Sequence, residues 1–162
     1  MSAPTAEALT ATDLYQQGAD VIFHAAGDSG TGVFEAAARL STSVGRHLWV
    51  IGVDSDQYLT IGGPRASTWR DHILTSVVKR FDNAVYQVLS DDSHGQLTAG
   101  SRELGLASDA IELAHSGGRI DVYASQLAEF RDQIISGAVT VPCVPIGRQD
   151  LMVGPGPATC GN

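Results

Sequence analysis

The sequence predicts an α/β fold built on a parallel sheet, and three observations carry that expectation. Two segments, residues 21–26, which open on the apolar run Val21-Ile22-Phe23, and residues 48–53, read as strands covered on both faces. Between them, Val33, Ala37, Leu40 and Val44 share one stripe at helical spacing. The first segment ends in a glycine-rich turn, Gly27–Gly32, and the second ends in an acid, Asp54. Strands joined through a helix are parallel, with a right-handed crossover. Their carboxyl ends then lie side by side, where open parallel sheets bind ligands. The turn and Asp54 should therefore face one crevice.

The remaining elements follow from local pattern. Residues 5–17 suit a helix that Gly18 stops. Residues 54–71 are polar, include Gly62-Gly63-Pro64, and read as a long loop. Residues 73–78 read as a third strand. Phe81, Ala84, Val85, Val88 and Leu89 fall at helical spacing. Residues 95–114 hold short apolar pieces broken by glycine and read as a small strand pair. Tyr123, Leu127, Phe130 and Ile134 form another helical stripe, ended by Gly137, and residues 138–141 read as a last strand. Residues 1–141 are thus expected to form one α/β lobe, and the Pro/Gly-rich segment 142–162 a poorly ordered tail.

Composition narrows the function. With 162 residues the chain has room for one domain with a proper core. A formal charge of −8 argues against nucleic acid, which is bound through basic patches. No apolar run approaches the ~18 residues of a membrane helix. Met1 to Thr12 lacks the basic head and apolar stretch of a signal peptide, so the chain as written is expected to stay cytoplasmic. Cys143 and Cys160 fit no zinc spacing, and whether they pair is left open. Nine of the ten basic residues are arginine, which directs attention to the lone lysine, Lys79. A compact, rotatable ammonium does what a planar guanidinium does not.

Several motifs compete for the crevice. Gly27-Asp28-Ser29-Gly30 resembles a serine nucleophile motif, but the parallel-strand context and the absence of Gly-x-Ser-x-Gly argue against serine catalysis. The glycines at 27, 30 and 32 are not in dinucleotide-binding order. They would still leave backbone N–H groups free at a helix N-terminus for an oxygen-bearing ligand. Asp54 and Asp56 could be metal ligands, a catalytic pair or acceptors for sugar hydroxyls. An ionised carboxylate accepts from two vicinal hydroxyls, which suits ribose. His24 reads as a core or turn histidine satisfied by hydrogen bonds. No base–nucleophile pair is evident, and no enzyme is expected.

Four ordered blocks go further. Residues 15–23 (Tyr-Gln-Gln-Gly-Ala-Asp-Val-Ile-Phe), 26–37 around the glycine turn, 51–57 (Ile-Gly-Val-Asp-Ser-Asp-Gln) and 74–80 (Leu-Thr-Ser-Val-Val-Lys-Arg) together resemble the basic membrane protein family. These are substrate-binding lipoproteins of nucleoside ABC importers, of the purine nucleoside receptor type. The resemblance is close over residues 14–90 and looser to Gly137. It implies a type I periplasmic binding fold, in which two α/β lobes close on a nucleoside. It also implies an extracytoplasmic location, an ABC permease as partner, and no cofactor or metal. The family's ribose-holding acid and lysine match Asp54 and Lys79. Its cleft-lining turn matches Gly27, Asp28 and Gly30, and Asp56 falls in the same block as Asp54. The sequence departs where the family has Gly-Gly-Thr-Gly and here reads Gly-Asp-Ser-Gly. The family's first lobe, with its anchor cysteine, has no counterpart, so the chain reads as a C-terminal lobe. A sensor domain of a regulator and a non-binding remnant are the alternatives, and the missing lobe could come from another chain.

Overall fold

The computed structural model describes residues 5–142, which fall into two compact units. The first comprises residues 5–79 and 112–122, the second residues 80–111 and 123–142. The expectations for residues 143–162, including the cysteines, lie outside the described residues.

The first unit is the predicted α/β layer. It contains α1 (Ala6–Gln16), β1 (Val21–Phe23), α2 (Thr31–Val44), β2 (Trp49–Asp54), α3 (Gln57–Thr60), α4 (Ala66–Arg70) and β3 (Ile73–Lys79). A short strand, β4 (Ile111–Leu113), completes a sheet of order β1-β2-β3-β4. The β1–β2 and β2–β3 pairs are parallel. An irregularity after Val50 shifts the β2–β3 register, so that Asp54 stands opposite Val78.

Apolar periodicity decides which face is dry. Helix α2 buries Val33, Phe34, Ala36, Ala37 and Leu40 against Leu48, Val50 and Ile73 of the sheet segments. Helix α1 starts at a Thr5 cap, whose Oγ1 accepts the Ala8 N–H at 3.3 Å. It contributes Ala11 and Tyr15 to the same core. Tyr15 is fully buried, yet its hydroxyl donates to the Trp49 carbonyl at 2.8 Å, so no polar group is stranded. Burial raises the Tyr15 pKa well above that of a free phenol.

The second unit holds α5 (Phe81–Ser93) and α6 (Ala124–Ile135), joined through a turn at Gly105–Ala110. Asn83 Nδ2 donates to the Asp109 carbonyl and Gln87 Nε2 to the Ser108 carbonyl, both at 2.8 Å. Arg131 donates to the Leu106 carbonyl at 2.9 Å and to Asp109 Oδ1 at 2.5 Å.

Three expectations are corrected. The long loop 54–71 carries two short helices, α3 and α4. The strand pair in 95–114 is one three-residue strand, because backbone groups of 105–110 are taken up by a tight turn, with Ala110 N–H donating to the Gly105 carbonyl. Residues 138–141 form no strand; the Val139 N–H turns back to the Gln133 carbonyl at 3.0 Å and terminates α6 instead.

Candidate functional site

The site is built at the carboxyl ends of the first unit's strands, where parallel topology leaves a crevice. A cavity of about 280 Å³ is lined by Phe23 at the end of β1, Ala25 just after it, Gly27 of the turn, Val53 and Asp54 of β2, and Val77 and Lys79 of β3. The β2–β3 register places residue 54 opposite residue 78, so Lys79 is one step from Asp54 across the ladder. Its Nζ stands 2.6 Å from Asp54 Oδ1.

This ion pair is solvent-facing, with the Lys79 and Asp54 side chains 59% and 44% exposed. An exposed pair contributes only about 0–1 kcal/mol to stability. The site therefore offers an accessible donor and an accessible acceptor over an apolar floor, the composition of a small-molecule pocket.

Asp54 is held in an uncommon backbone conformation. Its φ is +69°, and the Ser55 N–H donates to the Val53 carbonyl at 2.8 Å, which closes a γ-turn around it. Strain of this kind concentrates at ligand sites. Gly27 also has positive φ, +53°, and a side-chain carbon there would come 3.8 Å from Asp54 Oδ2.

The other expected site residues are placed differently. Asp28 is exposed in the 3₁₀ turn 27–30, and Gly30 is buried beneath His24, whose ring would lie 2.1 Å from an added Cβ. Neither lines the cavity around Asp54. The carboxylate of Asp56 has structural partners on both oxygens: Oδ1 accepts the Tyr58 N–H at 3.1 Å and caps α3, and Oδ2 accepts from Ser116 Oγ at 2.5 Å. Ser29 Oγ donates to the Ala26 carbonyl at 3.0 Å.

A buried polar network lies under the crevice. His24 is 4% exposed, and its Nε2 lies 2.9 Å from Gln57 Oε1. That oxygen also accepts the Val53 N–H at 3.0 Å, which fixes the amide orientation. Nε2 must then carry the imidazole proton, because an amide oxygen is acceptor-only. His24 Nδ1 is buried without a hydrogen-bond partner, so the expectation of a fully satisfied histidine holds at one nitrogen and not at the other. Burial lowers the His24 pKa, against opposing contributions from the Gln57 bond and the Asp54 charge. The Gln57 N–H donates to Ser76 Oγ at 3.1 Å. Sequence reasoning missed Gln57 and Ser76. The available signal was Gly52, a glycine inside a buried apolar strand, which marks close approach. A Cβ at Gly52 would stand 2.3 Å from Gln57 Oε1 and 2.6 Å from Ser76 Oγ.

The model of the Bmp family, described as ABC transporter substrate-binding protein PnrA-like, matches residues 1–144. The chain belongs to this family. Over 141 residues it is 39% identical to a CD4+ T-cell-stimulating antigen of Listeria monocytogenes, covering 83% of this chain and 39% of the relative. It is 29% identical to the ABC transporter nucleoside-binding protein BmpA of Lactococcus lactis, covering 82% of this chain and 38% of that one. A solved solute-binding protein of an ABC transporter system from Aeropyrum pernix shares the fold, with a TM-score of 0.56 and 24% identity over 85% of this chain and 44% of the other. The chain thus spans about two fifths of the length of the curated relatives it matches. Bmp proteins are substrate-binding rather than enzymatic. No helix among the described residues is long and apolar enough to cross a membrane.

Proposed function

We propose that this chain is a nucleoside-directed lobe of an ABC-importer substrate-binding protein, and that Asp54 and Lys79 grip the ribose diol. The observation that carries the reading is their 2.6 Å juxtaposition at the mouth of the cavity between strand ends. A carboxylate accepts from both vicinal hydroxyls, and a rotatable ammonium donates to the same oxygens from the opposite side. The Lactococcus relative is by its description nucleoside-binding, which supports the same ligand class.

Gly27 borders the ligand space in this reading, Asp28 and Gly30 shape the turn beside it, and Asp56 caps α3 just after the Asp54 turn. A binding protein of this class delivers solute to a membrane permease at the extracytoplasmic face. Two-lobe clefts work by closing on their ligand. A single lobe would supply about half the contacts, so an affinity at least about 1000-fold weaker than that of a closed two-lobe receptor is expected, ~4 kcal/mol.

Calorimetric titration with inosine, adenosine and guanosine tests the assignment. Asp54→Ala and Lys79→Ala are each expected to weaken binding at least about tenfold, or ~1.4 kcal/mol. Undiminished nucleoside affinity in Asp54→Ala removes the ribose-grip reading.

A further inference from the structure

We propose that Gln57 is a positioning residue, whose side-chain oxygen sets the strained turn that presents the Asp54 carboxylate to the crevice. The inference rests on the reading of Asp54 as the ligand grip, and its backbone component can be tested without that reading.

The geometry points to one atom. A non-glycine residue at φ +69° inside a γ-turn persists only where its surroundings over-determine it. The turn begins at Val53, whose carbonyl accepts the Ser55 N–H. The N–H of that same residue, in the preceding peptide unit, is fixed by Gln57 Oε1 at 3.0 Å, which leaves only the Val53 φ and ψ between the anchored bond and the turn. Gln57 is in turn pinned from two further segments: the ring of His24, just after β1, donates to the same Oε1, and the Gln57 N–H is held by Ser76 Oγ of β3. One half-buried acceptor thereby ties the ends of β1 and β2 together, while the Gln57 backbone is anchored to β3.

The steric record is consistent with a built device. Residue 52 is a glycine at the point where the Gln57 amide and the Ser76 hydroxyl cross the strand, and any side chain there would drive them apart. A residue that only filled space would need neither the crossing nor the two simultaneous bonds. Leucine has a volume close to that of glutamine, but it would leave the Val53 N–H and the His24 Nε2–H without their acceptor.

Gln57→Leu and Gln57→Glu separate positioning from packing, since a carboxylate still accepts both bonds. Two quantities are measured on folded protein: inosine affinity by calorimetry, and the Asp54 backbone angle from its three-bond HN–Hα coupling and carbon shifts. Gln57→Leu is expected to lose the positive-φ signature at Asp54 and to weaken inosine binding at least about tenfold. Gln57→Glu is expected to retain the signature and to bind within about threefold of the parent. An unchanged Asp54 signature in folded Gln57→Leu, with affinity also unchanged, overturns the proposal. If the parent itself binds no nucleoside, the ribose-grip reading has failed, and the backbone signature alone decides whether Gln57 positions residue 54. If Gln57→Leu does not fold, Gln57→Asn keeps the amide but withdraws it by one methylene. An Asp54 signature in that variant identical to the parent's overturns the proposal equally.

Discussion

Helix α2 of the first unit and helix α5 of the second carry comparable apolar stripes and meet different fates. In α2, Val33, Phe34, Ala36, Ala37 and Leu40 are buried. In α5, Phe81, Val85 and Leu89 are exposed, and no residue of α5 or α6 is buried. The first unit is held by a dry core around Phe34, Leu48, Val50 and Ile73. The described ties of the second unit are largely polar and converge on the turn that contains Ser108 and Asp109. Amphipathic spacing therefore specifies a helix, whereas burial depends on what the topology lays against it. The candidate site stands on the first unit, where a rigid sheet can hold a strained residue in place.

Truncation at matched aromatic positions tests that contrast most severely. Phe34 is fully buried and Phe81 is 67% exposed. Phe34→Ala is expected to cost about 3–5 kcal/mol in denaturant unfolding, through lost transfer energy and a residual cavity. Phe81→Ala is expected to stay within about 0.5 kcal/mol of the parent. A comparable cost at both positions would mean that the α5 face is covered in solution.

A smaller effect is expected at the polar hub of the second unit. Asp109 has φ +52°, and its carboxylate accepts from Arg131. Asp109→Ala should cost about 1–2 kcal/mol, since alanine loses that exposed pair and tolerates the left-handed region poorly. Asp109→Gly should cost less, because glycine takes this conformation freely. Equal losses in the two variants would assign the effect to the ion pair rather than to the backbone.

How far the sequence reached depended on the range of each interaction. The strand–turn–helix–strand run was legible because its periodicities are local and the crossover rule fixes its handedness. Asp54 and Lys79 could be expected at one pocket mouth because each closes a parallel strand, and the Asp54–Val78 register brings them together. The short helices Gln57–Thr60 and Ala66–Arg70 were illegible, since four or five residues carry no period. The small strand pair was misread because short apolar pieces between glycines serve a turn as readily as a ladder. The His24–Gln57–Ser76 network joins residues up to 52 positions apart, and only Gly52 hinted at it. Asp56 shows the converse. Its proximity to Asp54 in sequence suggested a shared site; β2 ends at Asp54, and Asp56 lies beyond it as the cap of α3, with its carboxylate accepting from the Tyr58 N–H and the Ser116 hydroxyl.

Acid titration separates the two units by the smallest effect, and its direction follows from which groups are perturbed. In the first unit, burial lowers the pKa of both His24 and His72. For His72, the bond to the Leu48 carbonyl opposes burial, while the stacked His47 and nearby Arg119 reinforce it. Both histidines are therefore held neutral in the folded state, whereas the unfolded chain takes up protons near pH 6.5. Their stabilising contribution is complete well above pH 6.5 and is lost as pH falls through it toward the folded values. The loss cannot exceed about 1.4 kcal/mol per pH unit for each histidine, and integrated from high pH down to pH 6 it stays under about 1 kcal/mol for each. In the second unit the perturbed group is Asp82, pushed down to about 2 by its hydrogen bonds from Arg80. Its contribution is complete above the ordinary carboxylate value of 3.8 and fades only as pH falls from there toward 2. Amide exchange followed between pH 7 and 5 should show protection falling at Phe34 and Ala37 of α2 while α5 holds. If α5 loses protection first in that range, the two buried imidazoles are not what makes the first unit acid-sensitive.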